Sequence, residues 1–148
     1  MKELRLVVSK SGVMEEVGMV SGYRGRRLSS AAENVYSMVS TTDGDSELLD
    51  EFWRESCGEV AVAFGHWLRD SITGDAWEWV LSLTDNWNWG LVDELRMKCR
   101  QYIVHRILHR WYGIVNASDA ESEGVKAAGT LSDIEILLQM RVRRIRGR

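Results

Sequence analysis

Residues 91–115, LVDELRMKCRQYIVHRILHRWYGIV, decide the fold class. Val92, Leu95, Cys99, Tyr102, Ile103, Ile107, Trp111 and Ile114 recur at steps of three and four, which lays one apolar stripe along a long helix. The chain holds no proline, so no locked φ and no missing N–H interrupts such a helix. A second stripe precedes it: Leu48, Leu49, Phe52, Trp53, Cys57, Val60, Ala61, Phe64, Trp67 and Leu68 predict a helix from a cap at Asp45 or Ser46 to about Ser71, with Gly74 as its stop. The two long helices are expected to pack antiparallel, burying Trp53, Phe64, Trp67, Ile103, Ile107 and Trp111.

Between the two stripes the period changes. In residues 76–84, AWEWVLSLT, Trp77, Trp79, Leu81 and Leu83 alternate with Glu78, Val80, Ser82 and Thr84, the period of a half-buried strand. Residues 3–8, ELRLVV, alternate in the same way. A lone strand leaves its amides unpaired, so these two segments are expected to pair and to leave at least one open edge.

The remaining patterns are shorter. Ser11 is expected to cap a helix from Gly12 to about Gly22, with Val13, Val17 and Val20 inward, followed by a basic turn at 22–28 that carries Arg24, Arg26 and Arg27. Ser30 and Glu33 fit a capping box opening a short helix to about Ser40, and residues 41–46, TTDGDS, read as a turn. Ser118 and Glu121 fit a second box, opening a last helix to about Arg141 with Val125, Ala128, Leu131, Ile134, Leu138 and Val142 on its stripe. Gly124 and Gly129 weaken that helix. The expected architecture is mainly α: a helical bundle of two or three long helices and two short ones, with a small two-stranded β element. Residues 1–140 form one domain, and 141–148 a basic C-terminal arm.

At 148 residues and 45% hydrophobic, the chain suffices for one domain whose core needs neither disulfide nor metal. The longest apolar runs are a few residues, too short to span a bilayer, and Glu3 and Arg5 interrupt any leader-like stretch at the start. A soluble, cytoplasmic domain with no membrane contact is expected. Cys57 and Cys99 show no metal or redox spacing and read as free, buried thiols.

Charge is unevenly placed. Residues 141–148, RVRRIRGR, hold five Arg and no acid, so residues 1–140 carry 14 basic against 22 acidic residues. Arg141, Arg143, Arg144, Arg146 and Arg148, together with Arg24, Arg26 and Arg27 of the basic turn, are candidate partner contacts, because a guanidinium fork bonds two carboxylate or phosphate oxygens at once. Trp87 and Trp89 lie in a polar loop, DNWNWG at 85–90, and are candidate interface anchors.

Chemistry-bearing motifs are sparse. His105 and His109 sit at i and i+4, a spacing that can hold zinc, but Arg106 stands where a zinc protease has its Glu. Neither a glycine-rich phosphate loop nor a G-x-S-x-G elbow occurs. The expectation is a non-enzymatic protein with no cofactor, no metal and no small-molecule substrate.

Four segments carry a resemblance: SKSGVMEEVGMVSGYRG, TTDGDSELLDEFWRESCGEV, LVDELRMKCRQYIVHRILHRWY and AESEGVKAAGTLSDIEILLQMRVRRIR. Together they span nearly the whole chain, which resembles the small, mainly helical head–tail connector (neck, or head-completion) proteins of tailed phages, of the kind found in prophage-like clusters of gut Bacteroidetes. Members often carry proline near the closing basic tail, and this chain has none. The resemblance implies a structural subunit that self-associates into a ring between the portal and the tail-side protein, a virion component where the prophage is active. It transfers no functional residue. The alternative is a small nucleic-acid-binding or regulatory helical module using the Arg-rich arm, disfavoured by the acidic body.

Overall fold

The computed structural model describes residues 1–29, 41 and 43–142. Within them the chain is mainly helical, with four α-helices and a three-stranded antiparallel sheet. In chain order the elements are β1 (Lys2–Ser9), α1 (Lys10–Ser29), α2 (Ser46–Phe64), β2 (Leu68–Ile72), β3 (Ala76–Leu83), α3 (Val92–Val115) and α4 (Ala117–Leu138). The short helix expected at 30–40 lies outside the described residues.

β1 and β3 pair antiparallel, with Leu4 opposite Leu81, Leu6 opposite Trp79 and Val8 opposite Trp77. The period-two pattern puts Leu4, Leu6, Val8, Trp77, Trp79, Leu81 and Leu83 on the buried face, while Glu3, Arg5 and Val7 stay exposed. A third strand was not expected. The helix predicted to reach Ser71 ends at Phe64, because Gly65 takes φ 57°, a left-handed conformation open to glycine at little cost. One 3₁₀ turn, Gly65–Trp67, then delivers β2, which pairs with β3 through an irregular register between Leu68 and Asp70. The strand order is β1-β3-β2.

The helices cover the buried face of the sheet. Trp53, Phe64, Ile103, Ile107 and Trp111 are buried as expected, whereas Trp67 is half-buried. Each fully buried apolar side chain of this size contributes roughly 1.5–3 kcal/mol. Phe64 meets Trp79 edge-on at 5.7 Å, and the Trp79 indole N–H donates to the Cys57 carbonyl at 3.4 Å. Glu55 pairs with Arg110, and Glu59 with both Arg110 (2.9 Å) and Arg106 (3.3 Å). These pairs advance along α2 as they retreat along α3, so the two helices run antiparallel. α3 and α4 form a tighter hairpin around Asn116, stapled by His109 to the Ala120 carbonyl (2.7 Å), His105 to Glu123 (2.8 Å) and Lys98 to Asp133 (3.4 Å).

Several local expectations are corrected. The basic turn at 22–28 is helical, the last part of a single α1. Ser21, Gly22 and Gly25 are buried there, so tertiary packing overrides the glycines' poor helix propensity. Ser9, not Ser11, accepts the Gly12 N–H at 3.3 Å as the strand turns into the helix. α4 begins at Ala117, and no side chain caps it; Ser118 donates to the Asn116 side-chain oxygen instead. Its buried face is Glu123, Ala127, Thr130, Ile134, Leu137 and Leu138, leaving Val125 and Ala128 exposed. An apolar tally misses that face because it includes the polar Glu123 and Thr130 and the small Ala127, with His105 pairing the buried Glu123. Val20 and Ile114 likewise face outward rather than into their stripes.

Candidate functional site

The first two residues of the segment expected as the arm, Arg141 and Val142, meet the Trp loop at one corner of the molecule. α4 ends with Gln139 and Met140 donating to Ile136 and Leu137, a tightened last turn. The chain then straightens: Asn88 N–H donates to the Met140 carbonyl at 3.0 Å, Val142 N–H donates to Asn86 at 2.8 Å, and Arg141 faces Trp87 across a single antiparallel bridge. Arg141 is therefore part of the body. Its guanidinium donates to the Leu138 carbonyl at 2.9 Å and lies 5.4 Å from the Trp67 ring centroid, a cation–π distance. Beside it, a cleft of about 240 Å³ is bounded by Gly65, His66, Trp67, Glu135 and Gln139.

The two loop tryptophans part company. Trp87 is fully buried, with its indole N–H donating to the Leu137 carbonyl at 2.9 Å, so it is a core side chain and not an exposed anchor. The loop that carries it is polar, but after the turn closed by Trp87 N–H on the Thr84 carbonyl (3.0 Å) the residue bridges Arg141 and its indole is held on α4. Trp89 is half-buried, sits edge-on to Trp87 at 5.2 Å, and has the Lys2 ammonium 5.9 Å from its ring.

The other basic candidates are spread over different places. Arg24 makes a two-point ion pair with Asp119, at 2.5 and 2.9 Å, which ties α1 to the first turn of α4. Arg26 is exposed on α1. The Arg27 side chain, and Arg143, Arg144, Arg146 and Arg148, lie outside the described residues. Sequence reasoning missed Trp67 as the aromatic partner of Arg141. The signal was the Gly65 break, which moves Trp67 off the helical stripe.

The titratable groups of the interior are engaged between helices or enclosed in the core. Each of His105 and His109 has its Nδ1 engaged with α4, and the described residues contain no group of three His, Cys, Asp or Glu able to hold a metal. Burial alone would raise the Glu123 carboxyl; the hydrogen bond and charge of His105 and the charge of Lys126 outweigh it and hold the group below its ordinary value. Burial pushes the Tyr102 and Tyr112 hydroxyls up to about 12. The Cys57 and Cys99 thiols are raised further, also by burial. No described helix is long and apolar enough to cross a membrane.

Comparison with known proteins finds no matching family model, no matching curated protein and no matching solved structure.

Proposed function

We propose that the chain is a non-enzymatic structural assembly protein, a head–tail connector subunit that joins a ring between portal and tail. One observation supports this reading most. The residues leading into the Arg-rich segment are fixed on the body by the Asn86, Asn88 and Trp67 contacts, so the arginines that follow start from a defined point on an acidic domain. A basic arm with a fixed root suits docking on an acidic protein surface, where exposed charge pairs set register and partner choice. The pairing of the interior carboxylates and imidazoles between helices is consistent with a packing role for them.

The test is a pull-down of the purified chain with portal and tail-side proteins encoded beside it, repeated at rising salt. Binding that weakens with salt and vanishes when 143–148 are deleted supports the proposal. Absence of binding to either protein, with a gene lying outside any phage cluster, overturns it. A gel shift at low salt separates the alternative: contacts of several arginines to phosphates would give steeply salt-dependent DNA binding.

A further inference from the structure

The two edges of the sheet are built differently. β2 is short, carries Arg69 and Asp70, and breaks register between Leu68 and Asp70. Bulges, charges and shortness are the means by which folded chains blunt an edge against further pairing. β1 carries charge too, at Lys2, Glu3 and Arg5, but it is longer and regular: its eight residues pair with β3 in an unbroken register, and among the described residues no strand pairs with its outer edge. Along this edge, β1 and α3 enclose a groove of about 280 Å³ lined by Val7, Val8, Ser9, Asp93, Arg96, Met97 and Arg100. Val7 is 45% exposed and Met97 49% exposed.

We propose that the outer edge of β1 is a homodimer interface, pairing antiparallel with β1 of a second copy. Charge on the strand selects both the occupant and the register. Glu3 and Arg5 stand on the exposed face two residues apart; within one copy Arg5 pairs with Glu3 at 3.3 Å and with Glu78 of β3 at 3.5 Å, exposed contacts that can be exchanged for the same pairing across two copies. A slip of one residue turns the buried side chains outward, so only registers that match like faces are available. Of these, one sets Glu3 of each copy opposite Arg5 of the other, with the two Leu4 side chains facing each other at the two-fold axis. The next sets Arg5 against Arg5, and the one after leaves Arg5 against Val7 and Glu3 against Ser9. Opposite charges directly across a strand pair stabilise it, and like charges oppose it. The first register also sets Met1, itself exposed, opposite Val7 at the mouth of the groove.

The contact is isologous and closes on itself. It yields a six-stranded sheet in the order β2-β3-β1-β1-β3-β2, whose two outer edges are both the blunted β2. It does not depend on the connector reading: the same pairing holds for any role of the chain.

The experiment is sedimentation of the full chain over a concentration series, with charge and cysteine variants. A concentration-dependent dimer is expected. Arg5→Glu should weaken it at least about tenfold, because like charges then face each other twice, and Glu3→Arg should do the same. The double exchange Glu3→Arg with Arg5→Glu should restore dimerisation. Thermal melts of the same variants separate a folding defect from a lost contact. Under mild oxidation, Leu4→Cys should cross-link two copies, since facing strand positions meet disulfide geometry, while Arg5→Cys should not. A monomer at all concentrations, a dimer indifferent to the charge variants, or cross-linking at position 5 instead of 4 overturns the proposal.

Discussion

A Cβ on Gly124 would lie 2.8 Å from both Nδ1 and Cε1 of His109. The imidazole cannot move away freely, because its Nδ1 is held on the Ala120 carbonyl one turn earlier. Gly129, on the same helix, has no neighbour within 4 Å of its would-be Cβ. Gly124→Ala should therefore destabilise the fold by about 1–3 kcal/mol through overpacking. Gly129→Ala should stabilise it by roughly 0.5–1 kcal/mol, the ordinary helix preference for alanine. Urea unfolding of the two variants checks both signs.

Glu123 makes stability depend on acid pH. Its folded-state value lies below the ordinary one, so the folded chain binds its proton less readily than the unfolded chain does. The resulting stabilisation is fully present above the unfolded-state value and is lost as pH falls through the lower folded-state value. Glu123→Gln should flatten this loss, seen as a shallower fall of the urea midpoint between about pH 5 and pH 3 than in the parent.

The root of the arm and the arm itself should separate in a truncation series. Ending the chain after Val142 keeps every contact described for Arg141 and Val142, and the melting temperature should stay nearly unchanged. Ending it after Gln139 removes the bridge to Trp87 and the Trp67 contact, and the melting temperature should drop by several degrees, about what 1–2 kcal/mol gives in a domain of this size. Trp87→Ala should be more severe, at about 3–5 kcal/mol, because it empties a fully buried indole site.

Both thiols should be inert in the folded protein. Cys57 and Cys99 are fully buried, and burial holds them protonated well above neutral pH. A thiol reagent at pH 8 should label neither in native buffer and both in denaturant. Fast native labelling of Cys99 would mean that α3 opens locally.

Much of the fold was legible because two periods dominate the core. The three-to-four stripe of α3 and the alternation of β1 and β3 each place large apolar side chains, and their burial follows directly. Legibility failed where a backbone conformation or a polar pair decides the outcome. Gly65 ends α2 by its left-handed φ, and the following residues then find hydrogen bonds on β3 that no local pattern announces. α4 rotates by the room at Gly124 and by the His105–Glu123 pair, neither of which an apolar count registers. At the candidate site, five closely spaced arginines flagged the arm, but the fastening of Arg141 depends on Trp67 and on Asn86 and Asn88, all remote in sequence. Trp87 was misread for the same reason: polar neighbours describe a loop, while its inward side chain is held by Leu137, fifty residues on, and by Arg141.

The order of the strands has a consequence for how the chain acquires its shape. β2 and β3 are joined through Thr73–Asp75 and can meet at once, whereas β1 pairs with β3 only after α1 and α2 have both been made. Closing that long loop is entropically slower than closing the hairpin. A nascent chain therefore carries β1 without its partner through the synthesis of everything between, a period in which a regular strand is exposed to aggregation and to chaperone capture. Pulsed hydrogen exchange during refolding should find amides of β3 that bond β2 protected before those that bond β1; simultaneous protection would mean that the sheet condenses in one step.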